Sequence, residues 1–134
     1  MDLLEQYQQE VREDLDINEM NIKLSSMQLP AKKHYWVSKL IIAKQQHQRL
    51  LRQKKQAKDK IAQELIHKSP IKLSSTDLAK ALEAAEKTGN LAQLNAQIDD
   101  TTLIIEYLEK VEKIFHNMTW DVKNIIQLHF SEKQ

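Results

Sequence analysis

Lys44, Arg49, Arg52, Lys54, Lys55, Lys58 and Lys60 place seven cations in one short segment with a single acid, Asp59, among them. From Lys32 to Lys68 eleven Lys/Arg residues face only Asp59 and Glu64, a local charge of +9 in a chain whose net charge is +1. Lysine-rich helices ordinarily alternate with acids at i, i+4 so that the charges pair. Those acids are nearly missing here, so the ammonium and guanidinium groups repel one another until something else neutralises them. Such a segment is built to meet a polyanion.

The remaining charge is distributed to match. Residues 1–20 hold seven acids against Arg12, and residues 69–134 hold ten acids against seven bases. A pI near 7.9 therefore hides the basic tract, which has to be read by itself.

Other chemistry finds little support. One glycine, Gly89, rules out the Gly-rich loops that let a backbone approach phosphates. The histidines His34, His47, His67, His116 and His129 are scattered, with no i, i+4 pair of the kind zinc sites use. Asp99-Asp100 reads as a helix start, where acids favour the dipole, rather than as a metal or acid/base site. Without cysteine there is no disulfide or thiolate chemistry. No nucleophile, base and oxyanion set can be assembled, so the expectation is a non-enzyme without cofactor or metal. The longest apolar runs, such as Leu103-Ile104-Ile105, are far short of the ~20 residues that span a bilayer. The acidic N-terminus does not read as a leader. We expect no membrane association and a cytoplasmic location.

The basic segment must be held by a helix. One Gly and two Pro in 134 residues, with Gln, Lys, Leu, Ala and Glu abundant, predict an all-α fold, read as a single domain over residues 1–134. Residues 1–29 read as short acidic helices: Leu3, Leu4, Tyr7, Val11 and Leu15 recur at helical spacing. Asp16 or Asn18 caps a second helix with Met20, Leu24 and Met27. Pro30 suits the first turn of the next helix, where its missing N–H costs nothing. That long basic helix, residues 30–68, is expected to run from Ala31 to about His67, some 55 Å at ~1.5 Å per residue, and to stop before Ser69-Pro70. Trp36, Leu40, Ala43, His47, Leu50, Lys54, Ala57 and Ile61 follow heptad spacing along it, with His47 and Lys54 interrupting the apolar seam.

Ser74-Ser75-Thr76-Asp77 is an N-cap cluster opening a short helix over residues 74–88, closed by Gly89-Asn90. Residues 99–131 carry the strongest apolar periodicity, as one helix or as a pair broken near Asn117-Met118-Thr119, with Thr119 as the new cap. Part of this stripe packs as core. Its surplus predicts a subunit interface through Tyr107, Leu108, Val111, Ile114, Phe115, Ile125 and Ile126. The expected architecture is a helical hairpin or bundle with one long basic helix and a C-terminal apolar helix used for oligomerisation.

Of the polyanions, nucleic acid fits best. Each Lys or Arg that neutralises a phosphate releases condensed counterions, and lysines contact backbones without reading bases. Aromatic residues are scarce near the cluster, which argues against a stacking platform there. Weak contacts per subunit gain avidity through oligomerisation.

The order of features resembles the UvsY recombination mediators of large tailed phages. The residues that carry the resemblance are the acidic N-terminal helix, Asp16-Ile17-Asn18, Pro30-Ala31-Lys32-Lys33-His34-Tyr35-Trp36 at the entry to the long helix, and Gln53-Lys54-Lys55-Gln56-Ala57-Lys58-Asp59-Lys60-Ile61. A C-terminal helix that breaks near Asn117-Met118 before Val122-Lys123-Asn124-Ile125-Ile126 completes it. The resemblance implies a mediator that binds single-stranded DNA, contacts a phage recombinase and a single-strand-binding protein, and forms a hexameric or heptameric ring in an infected bacterial host. Lys58 and Lys60 stand where the family shows a Lys-x-Arg with a role in DNA binding. Lys60 in place of Arg, Asp59 between the two lysines, and the absence of the tyrosines that follow in relatives shift the expected centre of the site towards Lys54 and Lys55. The rival reading is a coiled-coil adaptor without nucleic acid, pairing with a partner helix through Trp36, Leu40, Leu50 and Ile61.

Overall fold

Helix accounts for all regular structure among the residues described by the computed structural model, 2–16, 22–68 and 74–133 (the last five by backbone alone). The elements are α1 (Leu3–Asp14), α2 (Ile22–Lys68), α3 (Ser75–Glu86) and α4 (Gly89–Lys133). The all-α class expected from the scarcity of Gly and Pro is what the chain adopts. None of these helices is long and apolar enough to cross a membrane. The expected cap at Asn18, the start of the second short helix at Met20 and the stop at Ser69-Pro70 lie outside the described residues.

Three expected boundaries are corrected. Pro30 does not open the long helix: it sits inside α2, which already runs from Ile22. An interior proline forfeits one hydrogen bond and clashes with the preceding turn, at a cost of about 3 kcal/mol. Packing on both sides outweighs that cost, since Leu29 and Trp36 are each 1% exposed. Asp99-Asp100 does not start a helix, because α4 already begins at Gly89 and both acids lie exposed within it. Asn117-Met118-Thr119 does not break α4. Thr119 turns its hydroxyl back onto the Phe115 carbonyl (2.8 Å), satisfying itself inside the helix instead of capping a new one. Thr102 does the same onto Ile98.

The residues form two compact units, Met1–Ala43 with Leu103–Gln134, and Lys44–Thr102. In the first, Tyr7 and Val11 of α1, Leu29, Trp36 and Leu40 of α2, and Ile104, Leu108, Val111, Phe115 and Val122 of α4 make one apolar core. Trp36 is its centrepiece. Tyr7 and Tyr35 meet its ring edge-on at 5.6 and 5.1 Å, and its Nε1–H donates to Asp14 Oδ2 at 2.8 Å. A buried indole needs such a partner. The other α1 contacts follow the same logic. Asp2 caps the helix by accepting from the Glu5 N–H, Tyr35 donates to Glu10 Oε2 (2.9 Å), and Lys32 donates to the Asp14 carbonyl (3.1 Å). A cation there also suits the negative end of the helix. Glu10 and Asp14 thus serve donors on the N-terminal part of α2.

The second unit has a smaller core of Leu50, Leu91 and Leu94, backed by Ala57, Ile61, Ala85 and Ile98. Ser74 caps α3 by accepting from the Asp77 N–H. Gly89 stands at φ +62°, the left-handed conformation that lets α4 begin with only Lys87 and Thr88 between it and α3.

Candidate nucleic-acid interface

The second unit divides the seven predicted cations into two sets. At about 100° per residue, Leu50, Ala57 and Ile61 lie on one side of α2 and define its inward face. Lys54 and Lys58 fall within that same face and are half-buried. Arg49, Arg52, Lys55 and Lys60, with Lys44, spread over roughly 160° of the opposite side at the same helical repeat, and all five are exposed.

Glu86, the last residue of α3, holds the inner pair. Its Oε1 lies 3.6 Å from Lys54 Nζ and makes a closer ion pair with Lys58 Nζ. That oxygen is closed off from solvent. The Lys58 hydrogen bond, reinforced by Lys54, holds the Glu86 carboxyl below the usual carboxylate range against the opposing effect of desolvation. Its position makes the pairing informative, because an acid at a helix C-terminus opposes the macrodipole. The two lysines compensate for that placement.

Four of the outer cations, Arg49, Arg52, Lys55 and Lys60, have no such compensation: among the described residues no carboxylate lies within ion-pair range of them. Arg49 donates to the neutral Gln46 Oε1 at 3.1 Å, which leaves its charge unopposed. The expected centre on Lys54 and Lys55 therefore splits: Lys55 is presented to solvent, while Lys54 is engaged within the chain. Sequence reasoning did not find Glu86, because an acid at the end of a short helix carries no signal that it will meet lysines on another element.

The seam through α2 also resolves. Its two polar interruptions each find a partner: His47 Nε2 lies 3.3 Å from Thr102 Oγ1, and Lys54 reaches Glu86. Trp36, Leu40 and Leu50 are buried in the chain's own cores, and Ile61 packs against one of them. The predicted interface residues on α4 separate similarly. Leu108, Val111 and Phe115 are fully buried, and Tyr107 and Ile126 pack partly against the same core. Those three side chains are thereby removed from any subunit contact, a correction that follows from α1 and α2 already covering them. Ile114 and Ile125 remain about half exposed.

Substituting Glu86→Gln should release Lys54 and Lys58 to solvent. We expect tighter polyanion binding, with a salt dependence steeper by roughly one to one and a half in log–log slope if both lysines then engage phosphate. The pH dependence has a definite sign. Because the folded pKa is depressed, this pairing contributes stability above the ordinary carboxylate range and loses it as pH falls through the depressed value. Thermal melts across acidic pH should therefore show a drop in the native protein that Glu86→Gln lacks.

A helical chain with this element order has its likeness among recombination mediators. Three crystal structures of the bacteriophage T4 recombination mediator protein UvsY, in lattice types IV, III and II, match it with TM-scores of 0.78, 0.73 and 0.78. Identities are 17%, 16% and 15%, covering 96%, 100% and 100% of this chain and 98%, 100% and 99% of theirs. The likeness is one of fold across the full length. No family model matches the sequence, and no curated protein matches it. The resemblance read from the Pro30–Trp36 and Gln53–Ile61 segments thus meets a shared architecture.

Proposed function

We propose that this protein is a recombination mediator that binds single-stranded DNA without sequence specificity and helps load a recombinase in place of a single-strand-binding protein, in the cytoplasm of an infected bacterial host. The observation that carries the reading is the exposed set Arg49, Arg52, Lys55 and Lys60, unpaired with any carboxylate among the described residues, on a helix anchored from behind by Leu50 and Ile61. Cations held on a packed helix meet phosphates at fixed spacing, and they contact the backbone rather than base edges. Chains arranged as a ring, hexameric or heptameric, through Ile114, Ile125 and the flanking Tyr107 and Ile126 would multiply these contacts. Mediation then follows from differential binding. DNA held along a path that the single-strand-binding protein cannot share, but the recombinase can, shifts the population towards recombinase.

The adaptor reading has lost its means of pairing, since Trp36, Leu40 and Leu50 are occupied within the chain. The test is recombinase assembly on DNA pre-coated with single-strand-binding protein. Assembly should accelerate when this protein is added and should not when Arg49, Arg52, Lys55 and Lys60 are all replaced by Gln. Equal acceleration by both would sink the proposal.

A further inference from the structure

The first unit holds a cleft of about 770 Å³ between α2 and the later part of α4, lined by residues outside the Lys44–Lys60 segment. Trp120, 62% exposed, lines it with Pro30, Lys33, His116, Asp121 and Lys123. Lys33 Nζ lies 3.2 Å from His116 Nδ1, so one ammonium is fixed on the α2 side. Lys123 Nζ stands over the Trp120 ring, 5.8 Å from its centre, and supplies a second on one face of the indole, leaving the other for a base. Large aromatic rings are normally buried, as Trp36 is, so an open indole flanked by two lysines calls for a ligand with both a π-face and negative charge.

We infer that this cleft binds an unpaired nucleotide of a nucleic-acid strand, with the base stacked on Trp120 and the adjoining phosphate held by Lys33 and Lys123. The inference rests on the reading of the protein as a single-strand binder and adds a stacking site to the phosphate contacts proposed for the basic helix. Base–aromatic stacking tolerates any sequence because every base has a π-face. Duplex bases are already stacked on one another, so the cleft favours single strands where lysines alone would not discriminate. Asp121, also in the lining, can accept from the exocyclic amino group of a base stacked on Trp120.

The two tryptophans make the test direct. Trp36 is 1% exposed, so fluorescence quenching of the full chain by an unlabelled mixed-sequence oligonucleotide reports Trp120. Quenching should saturate with binding and vanish in Trp120→Phe, which keeps most of the affinity by retaining a stacking ring. Trp120→Ala should weaken single-strand binding roughly 5- to 100-fold and duplex binding far less. Unchanged affinity in Trp120→Ala, with Arg52→Gln/Lys55→Gln still weakening binding, would overturn the cleft assignment and leave the basic helix as the site. Loss of neither would overturn both. Quenching by an acidic peptide but not by the oligonucleotide, or a change in sedimentation rather than in affinity for Trp120→Ala, would also overturn it.

Discussion

Raising salt from 50 to 200 mM should weaken binding of a labelled single-stranded oligonucleotide roughly 50-fold, with a log–log slope near −3. The expectation comes from counting charges. Four cations, Arg49, Arg52, Lys55 and Lys60, are exposed without a carboxylate in range among the described residues, and on single strands each phosphate neutralised contributes about −0.7 to the slope. Replacing all four with Gln should remove most of that slope and leave helicity unchanged, because all four are exposed. Replacing Lys54 and Lys58 instead should have a smaller effect on the slope, since Glu86 already neutralises part of their charge. A slope unaffected by the first set but abolished by the second would show that DNA displaces Glu86 and that the inner lysines carry the contact. Fluorescence polarisation across a salt series resolves these outcomes.

The ordering of those two sets shows what the residues alone could tell. Apolar spacing made the long basic helix, the seam through it and the rich C-terminal stripe legible, because burial of an apolar face is a periodic property of the sequence. Polar side chains inside helices were harder. Pro30, Asp99-Asp100 and Thr119 all carry strong local preferences for helix ends, yet each sits within a helix. Tertiary packing of Leu29 and Trp36 around Pro30, and of Phe115 and Val122 around Thr119, exceeds the one to three kcal/mol that such preferences are typically worth. The site was legible as a tract but not as a face. Which of seven cations reach solvent depends on where Glu86 lands, a long-range pairing that no spacing rule encodes.

The α4 stripe yields the other large effect, because it contains two populations that the sequence could not separate. Phe115→Ala should destabilise the first unit by about 3–5 kcal/mol, since it empties a fully buried aromatic site lined by α1 and α2. A loss of that size lowers the melting temperature by roughly 10 °C or more in a unit of this length. Ile125→Asp should do the opposite: the side chain is 50% exposed, so the melting temperature of the dissociated chain should hardly move while any assembly falls apart. Sedimentation velocity beside thermal melts distinguishes the two. If Ile125→Asp and Ile114→Asp leave the sedimentation coefficient untouched in a protein that is multimeric, the subunit contact lies elsewhere than on the exposed side of α4. If the native chain sediments as a monomer even with oligonucleotide, the ring fails, and the contacts of a single chain must carry all of the DNA binding.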